Sequence, residues 1–332
     1  LPVRLANYVN QNGIELVLLA GDLFDSADAY RDTAESLSAA LGQMAAQVYI
    51  APGNHDWYGP GSPYLTVEWP DNVHIFTQPR IEALEWPEKN LVLHGAAFTA
   101  PEQAESLLTG FAAPADGQVH LGVLHGEIDP AENRYDPLRK AEIAASGLAY
   151  LALGHIHKRT EPLRFGNTVC AWPGCPEGRG FDELGEKGFY QGSVTDGGQV
   201  ELTFVPFARH RYEILEVDVT GKTPREAVEA ALPPDTARDL CRIILTGETG
   251  EAGAGAESLQ EALADRFYAL EVRDRTRVAE DIWARAEEDS LRGLFLRELK
   301  QKLSEAQSDE EREQVTRAVR FGLAALDHRD LG

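Results

Sequence analysis

Four short apolar runs, each closing on a turn of polar side chains, constrain this chain more than any other feature. Residues 48–51 run into Pro52-Gly53-Asn54-His55-Asp56, and residues 14–20 into Gly21-Asp22-Leu23-Phe24-Asp25. Residues 119–124 run into His125-Gly126-Glu127, and residues 148–153 into Gly154-His155-Ile156-His157. Continuous apolar runs of this length read as strands buried on both faces, the pattern of a parallel sheet covered by helices. Such sheets bind ligands at the carboxyl ends of their strands. The four runs therefore aim Asp, Asn and His at one edge of a mainly parallel sheet.

A lone histidine at a strand end is more often a hydrogen-bonded structural residue than a ligand. Five groups converging from four turns are a different matter. Asp22, Asn54, His125, His155 and His157 offer oxygen and imidazole nitrogen without thiolate, a set that suits a hard or borderline divalent ion such as manganese better than a structural zinc. A carboxylate can bridge two ions, an amide oxygen coordinates without adding charge, and neutral imidazoles complete each shell. Two ions about 3.5–4 Å apart activate a water and neutralise a phosphate during in-line displacement. His74, His94 and His120 lie in or beside apolar segments away from these turns and read as packing residues.

The order GD, GNHD, H and GHIH resembles the calcineurin-like metallophosphoesterase superfamily. Residues 16–25 (LVLLAGDLFD), 150–157 (YLALGHIH) and 172–181 (WPGCPEGRGF) are similar to the bacterial SbcD-like DNA-repair exonucleases, which work beside an SbcC-type ATPase. The resemblance covers most of residues 1–211. It implies two metal ions, with Asp22 bridging them, Asn54, His125 and His155 completing one, and His157 on the other. It also implies that His55 faces the scissile phosphate and stabilises or protonates the leaving oxygen, with Asp25 and Asp56 holding His55 or its loop in orientation. The family's first motif, an Asp-x-His on the opening strand, has no match before Asp22. Residues 1–12 read instead as a helix stopped at Gly13. The expectation is that the gene product carries about 25–30 further residues upstream, the size of the missing part of a βαβ unit. Without them the His157 site has two protein ligands, and weak metal binding or an inactive chain is expected.

The net charge of -23 is awkward for a nucleic-acid enzyme, because polyanion binding draws on basic side chains. Its distribution is uneven. Residues 1–133 carry 4 Lys/Arg against 18 Asp/Glu, whereas 134–211 carry 10 against 9. Lys158, Arg159, Arg164 and Arg179 are the candidates for backbone phosphate contacts, each weighed against an ordinary solvated charge. Trp57, Tyr58, Tyr64 and Trp69 flank the GNHD turn and are placed to stack on bases, though aromatics there more often pack. No apolar run approaches the 18 or so residues of a membrane span. Three cysteines, Cys170, Cys175 and Cys241, give no disulfide framework, and a reducing cytoplasm is expected.

Up to GHIH, strands alternate with helices, one of them over residues 29–46 with Leu37, Leu41 and Met44 on a face. Segments 163–165, 169–172, 188–194 and 200–207 then read as antiparallel strands completing a second sheet. Residues 174–180 (GCPEGRG) read as a tight turn near the site with Arg179 its functional member. The fold class expected for 1–211 is thus a layered α/β β-sandwich flanked by helices. Residues 212–277 read as a small βαβαβ cap, with capping boxes at Thr223/Glu226 and Ser258/Glu261. Residues 278–332 are helical, with stripes of Leu291, Phe295, Leu299, Leu303 and of Val315, Val319, Leu326 that either pack on the cap or dock the ATPase partner. The expectation is a manganese-dependent DNA exonuclease subunit. By the resemblance it degrades duplex ends 3′ to 5′, cuts single strands as an endonuclease, and pairs as a homodimer. The alternatives are a phosphatase or cyclic-nucleotide phosphodiesterase, and an inactive scaffold for the ATPase on DNA.

Overall fold

A computed structural model describes residues 1–26, 31–132, 134–250, 253–278, 283 and 285–326. The chain divides into two compact units, one of residues 1–177 with 186–208, the other of 178–185 with 209–332.

In the first unit, β1 (Leu16–Leu19), β2 (Gln47–Ile50) and β3 (Val73–Ile75) form a parallel three-stranded sheet in that order. Next come β4 (Glu82–Trp86), β5 (Leu91–Gly95), β6 (Val119–His125), the short parallel pair β7 (Glu127–Ile128) and β8 (Pro137–Leu138), then β9 (Tyr150–Gly154), β10 (Leu163–Phe165) and β11 (Thr168–Ala171). All but β7 and β8 make one six-stranded sheet ordered β10-β11-β9-β6-β5-β4, parallel except for the two edge strands.

The four motif strands therefore lie in two sheets, not along the edge of one. Side-chain parity explains the arrangement. Leu16, Leu18, Tyr49 and Ala51 share a core with Leu91, Leu93, Val119, Leu121, Val123 and Ala152, so the sheets stack face to face. The alternate residues Val17, Leu19, Val48 and Ile50 face outward onto helices α1 (Pro2–Gln11) and α2 (Arg31–Leu41), packing with Ala6, Val9, Ala34 and Leu41. On the far face, Leu124, Leu151 and Leu153 pack with Cys170 and with Ile143 of α4 (Lys140–Ala145), which follows the one-turn α3 (Pro63–Thr66). The inner strands β2, β5, β6, β9 and β11 are buried on both faces, which is why they lack alternation, while the edge strand β4 alternates.

The sandwich is complete by Ala171, so the later strands do not supply its second layer. Segments 163–165 and 168–171 extend the six-stranded sheet, while β12 (Gly188–Val194) and β13 (Val200–Pro206) form a separate antiparallel ribbon. Aromatic contacts hold that ribbon to α1, Tyr8 standing edge-on to Phe189 at 5.2 Å and to Phe207 at 5.9 Å. Helix α2 ends at Leu41 instead of residue 46, because the chain turns at Gly42 toward β2. The expected start of α2 at residues 29–30 lies outside the described residues.

In the second unit, β14 (Arg211–Asp218), β15 (Asp239–Thr246) and β17 (Ala269–Asp274) form a parallel sheet in that order, linked by α5 (Pro224–Ala231) and α6 (Ala256–Leu263) in a βαβαβ path. The two-residue strands β16 (Glu248–Thr249) and β18 (Arg277–Val278) pair beside it. Thr223 and Glu226 cap α5 as the spacing predicts. The Ser258/Glu261 box does not form, because Gly255, at φ 61°, caps the helix three residues earlier and leaves Ser258 inside its first turn. The helices Leu291–Glu305 and Asp309–Leu326 bury Leu296, Leu299, Val319 and Leu323 with Val278 and Ala286. Arg320 ties the second helix to Asp274 and Thr276. Leu291 leaves the expected stripe and is 69% exposed, because a side chain in the first turn points back past the helix end.

Candidate metal centre

The site forms where the carboxyl ends of β1 and β2 meet those of β6 and β9. The close approach depends on glycine. A Cβ on Gly53 would lie 2.4 Å from Asp22 Oδ1 and 2.7 Å from His125 Cε1, and one on Gly154 would lie 1.7 Å from the Ala20 carbonyl oxygen. Gly21 (φ 82°) is followed by Asp22 at φ 52°, and Gly154 by His155 at φ 88°. Left-handed backbone at a non-glycine residue costs on the order of 1–3 kcal/mol and persists only where the surroundings hold it. Here two of the candidate ligands carry that strain.

Asp56 holds the loops in place. Fully buried, its carboxylate accepts from the backbone N–H groups of Asp22 (3.1 Å), Leu23 (2.7 Å) and Gly53 (2.7 Å) and from the Tyr64 hydroxyl (2.6 Å). Burial raises its pKa, and the hydrogen bonds from Tyr64 and Gly53 oppose that rise. Trp172 performs the same service on the other sheet, its indole N–H lying 3.1 Å from the Gly126 carbonyl and 2.9 Å from that of Gly154.

Ligand atoms of Asp22, His125 and His155 all lie within 4.8 Å of one another, the arrangement among the described residues that could hold a metal ion. Asn54 Oδ1 sits between the imidazoles, 2.9 Å from His125 Nε2 and 3.0 Å from His155 Nδ1. Asp22 Oδ2 is 3.3 Å from His125 Nε2. The fit to a cation follows from proton placement. His125 Nδ1 lies 2.8 Å from the Ala20 carbonyl oxygen, which can only accept, so Nδ1 carries the proton and Nε2 of the neutral ring presents a lone pair. That lone pair faces an amide oxygen and a carboxylate oxygen. Acceptors crowded onto acceptors are unfavourable unless positive charge sits among them. Burial pulls the His125 pKa down, yet the hydrogen bond and charge of Asp22 win and raise it, so a proton answers the same field a metal would. Burial would raise the Asp22 carboxyl, but His125 and the His55 N–H, 2.9 Å from Asp22 Oδ1, hold it below its ordinary value. His155 is pushed down to about 4 by burial and by His125, and is therefore neutral near pH 7, as a ligand must be.

Of the residues singled out in the sequence, the structure thus brings Asp22, Asn54, His125 and His155 together. His55 is exposed beside them, its Nδ1 3.3 Å from the Asp25 backbone oxygen. His157 is exposed at the same strand end and outside the three-residue group, its carbonyl accepting from Lys187. Lys158 is exposed; Arg159 pairs with Glu161 at 3.0 Å and lies over the Phe204 ring; Arg164, on β10, donates to the Asn167 carbonyl. Arg179 belongs to the second unit, where its backbone N–H donates to Glu183. Tyr64 is buried and packs edge-on to Phe24, so it supports the site from beneath. His94 and His120 form a buried pair 2.9 Å apart, and His74 lies 2.8 Å from Gln47 Oε1.

Sequence reasoning gave no role to Tyr64 as the partner of Asp56, to Trp172, or to Glu127 and Tyr135, which flank His155. Glu127 Oε1 is 3.3 Å from His155 Nε2, and the Tyr135 ring lies 4.8 Å from that imidazole. No spacing rule marks them, since each is placed by a loop closing in three dimensions.

Two stacked sheets that bring a carboxylate, an amide and imidazoles together at their carboxyl ends are consistent with the metallophosphoesterase fold. Residues 3–159, which contain every group of the cluster, match the calcineurin-like phosphoesterase family. It is 32% identical over 215 residues to the uncharacterized metallophosphoesterase YhaO of Bacillus subtilis (strain 168), covering 62% of this chain and 52% of that protein. It is 24% identical over 310 residues to the DNA double-strand break repair protein Mre11 of Methanopyrus kandleri, covering 84% of this chain and 66% of that protein. The chain thus spans less than two thirds of the length of either relative.

Proposed function

We propose that this chain is an SbcD-like, manganese-dependent DNA exonuclease and endonuclease subunit that hydrolyses phosphodiester bonds with two metal ions. The observation that carries the reading is the extent of the similarity to Mre11. It covers 84% of the chain, whereas the family match ends at residue 159, so it continues into the βαβαβ unit. Metal bound by Asp22, Asn54, His125 and His155, with a second ion at His157, would supply an activated water and offset the phosphate charge. His55, exposed beside Asp22, meets the scissile phosphate and donates a proton to the leaving oxygen, while Asp56 keeps the loop that carries it in register. Lys158, Arg159, Arg164 and Arg179 contact backbone phosphates.

In this reading the protein works in the cytoplasm as a homodimer with an SbcC-type ATPase. Among the described residues no helix is long and apolar enough to cross a membrane. The exposed Leu291, Leu294 and Phe321 of the C-terminal helices offer the ATPase an apolar surface. A truncation after Arg277 is expected to abolish co-purification of the ATPase and to leave metal binding unchanged.

The excess of acidic residues, 18 against 4 over residues 1–133, favours one alternative, hydrolysis of a small phosphomonoester or cyclic nucleotide. The full-length gene product, given manganese and in turn a labelled duplex, a phosphomonoester and a cyclic nucleotide, separates the readings. Duplex degradation lost in His55→Ala supports the nuclease. Turnover of only a small ester selects the alternative, and turnover of none leaves a scaffold.

A further inference from the structure

The two imidazoles of the centre, His125 buried and His155 half-buried, are oriented by different means. His125 is fixed by a backbone carbonyl, since the Ala20 oxygen accepts from its Nδ1. His155 is turned the other way, with Nδ1 toward Asn54 Oδ1 at 3.0 Å and Nε2 outward. In the metal-free protein this ring has a competing state. With the proton on Nδ1 it would donate to Asn54 Oδ1, a sound hydrogen bond that occupies the very nitrogen a cation needs. Something must favour the other tautomer.

Resting on the metal-centre reading, we propose that Glu127 is the positioning residue that keeps the His155 proton on Nε2 and so leaves the Nδ1 lone pair facing Asp22, Asn54 and His125. Glu127 Oε1 lies 3.3 Å from His155 Nε2. A carboxylate there can only accept, so it stabilises the Nε2–H tautomer. Carboxylate behind a ligating imidazole is a general way of fixing ring orientation and raising ligand basicity. The position of Glu127 is itself held. It begins β7, which pairs with β8 through Glu127 opposite Pro137, and its N–H lies 3.3 Å from the carbonyls of Tyr135 and Asp136. The same clasp brings the Tyr135 ring to 4.8 Å from His155, tilted 39°, against the face of the imidazole. Edge and face of the ring are thus both supported from β7, β8 and the turn before β8. His155 has little help from its own backbone, which is strained at φ 88°.

The test uses the full chain, metal-free and imidazole-15N-labelled, and the variants Glu127→Ala and Glu127→Gln. The glutamine keeps an acceptor at the same place. Long-range proton–nitrogen NMR should show His155 protonated at Nε2 in the wild type and in Glu127→Gln, and at Nδ1 or mixed in Glu127→Ala. Calorimetric titration with manganese should show affinity falling about 10- to 100-fold in Glu127→Ala and largely recovered in Glu127→Gln. Asp22→Ala, which removes a ligand, is the reference for lost binding. An unchanged tautomer in Glu127→Ala overturns the proposal, even if affinity falls, because the effect would then be one of charge alone. A wild type that binds no metal overturns the metal-centre reading instead, and the NMR result still judges Glu127 by itself.

Discussion

Asp56 shows how much of a ligand site can rest on a residue that binds no ligand. Three backbone N–H groups from two loops and one buried hydroxyl end on its carboxylate. Asp56→Ala leaves those donors unsatisfied in the interior and is expected to cost about 3–5 kcal/mol in urea unfolding, against about 1–2 kcal/mol for Tyr64→Phe, which removes one donor. Asp136 carries a separate prediction. It is buried, one oxygen accepts from the Leu107 N–H at 2.7 Å, and the other has no hydrogen-bond partner. Burial pushes its pKa up to about 7. A carboxyl raised in the fold stabilises the native state in its protonated form, so that contribution is full below about pH 4 and is lost as pH climbs to 7. The loss amounts to roughly 4 kcal/mol at most. Asp136→Asn, neutral throughout, should be more stable than the wild type at pH 8, with the gap closing toward pH 4 in a series of denaturant titrations.

At the scale of elements, the centre exists because strand ends from two sheets come within van der Waals contact. A Cβ at Gly53 would meet His125 Cε1 of the other sheet at 2.7 Å and Asp22 Oδ1 of its own at 2.4 Å, whereas one at Gly110, also in a loop and at φ 73°, meets nothing within 4 Å. Gly53→Ala should therefore weaken manganese binding by roughly tenfold or more by displacing the Asp22 carboxylate. Gly110→Ala should cost only the left-handed strain, about 1–2 kcal/mol of stability, with affinity unchanged. Equal effects of the two on calorimetric affinity would mean that strand-end contact does not position the ligands.

For the whole molecule, the balance of charge and the linkage of metal to folding make the measurable statements. A cation held by Asp22, Asn54, His125 and His155 binds the folded chain only. Manganese at a hundredfold excess over its dissociation constant should add about 2.7 kcal/mol to stability, and Asp22→Ala should erase that gain in thermal unfolding. The net charge of -23 opposes duplex binding. Arg159 is already paired with Glu161, which leaves Lys158 the better placed of the two to meet a phosphate. Under the nuclease reading, Lys158→Ala should weaken duplex binding alike across sequences and reduce the slope of log affinity against log salt by about 1.

What the residues dictated unaided was local and chemical. The apolar runs ending at Gly21, Pro52, His125 and Gly154 declared strands, because burial on both faces leaves few polar positions along them. The donor set Asp22, Asn54, His125, His155 and His157 pointed to a cation by its chemistry alone, and the structure gathers the first four of them while His157 stands outside the cluster. The Thr223/Glu226 box set the start of α5, because capping is settled within one helical turn. Pairing across long separations was not legible in this way. That β1 and β2 belong to one sheet and β6 and β9 to another depended on which face of each strand met which partner, and both faces of each strand are apolar. Glu127, Tyr64, Tyr135 and Trp172 reach the site only after loops close, so tertiary contact, not spacing, gave them their places around the four ligands.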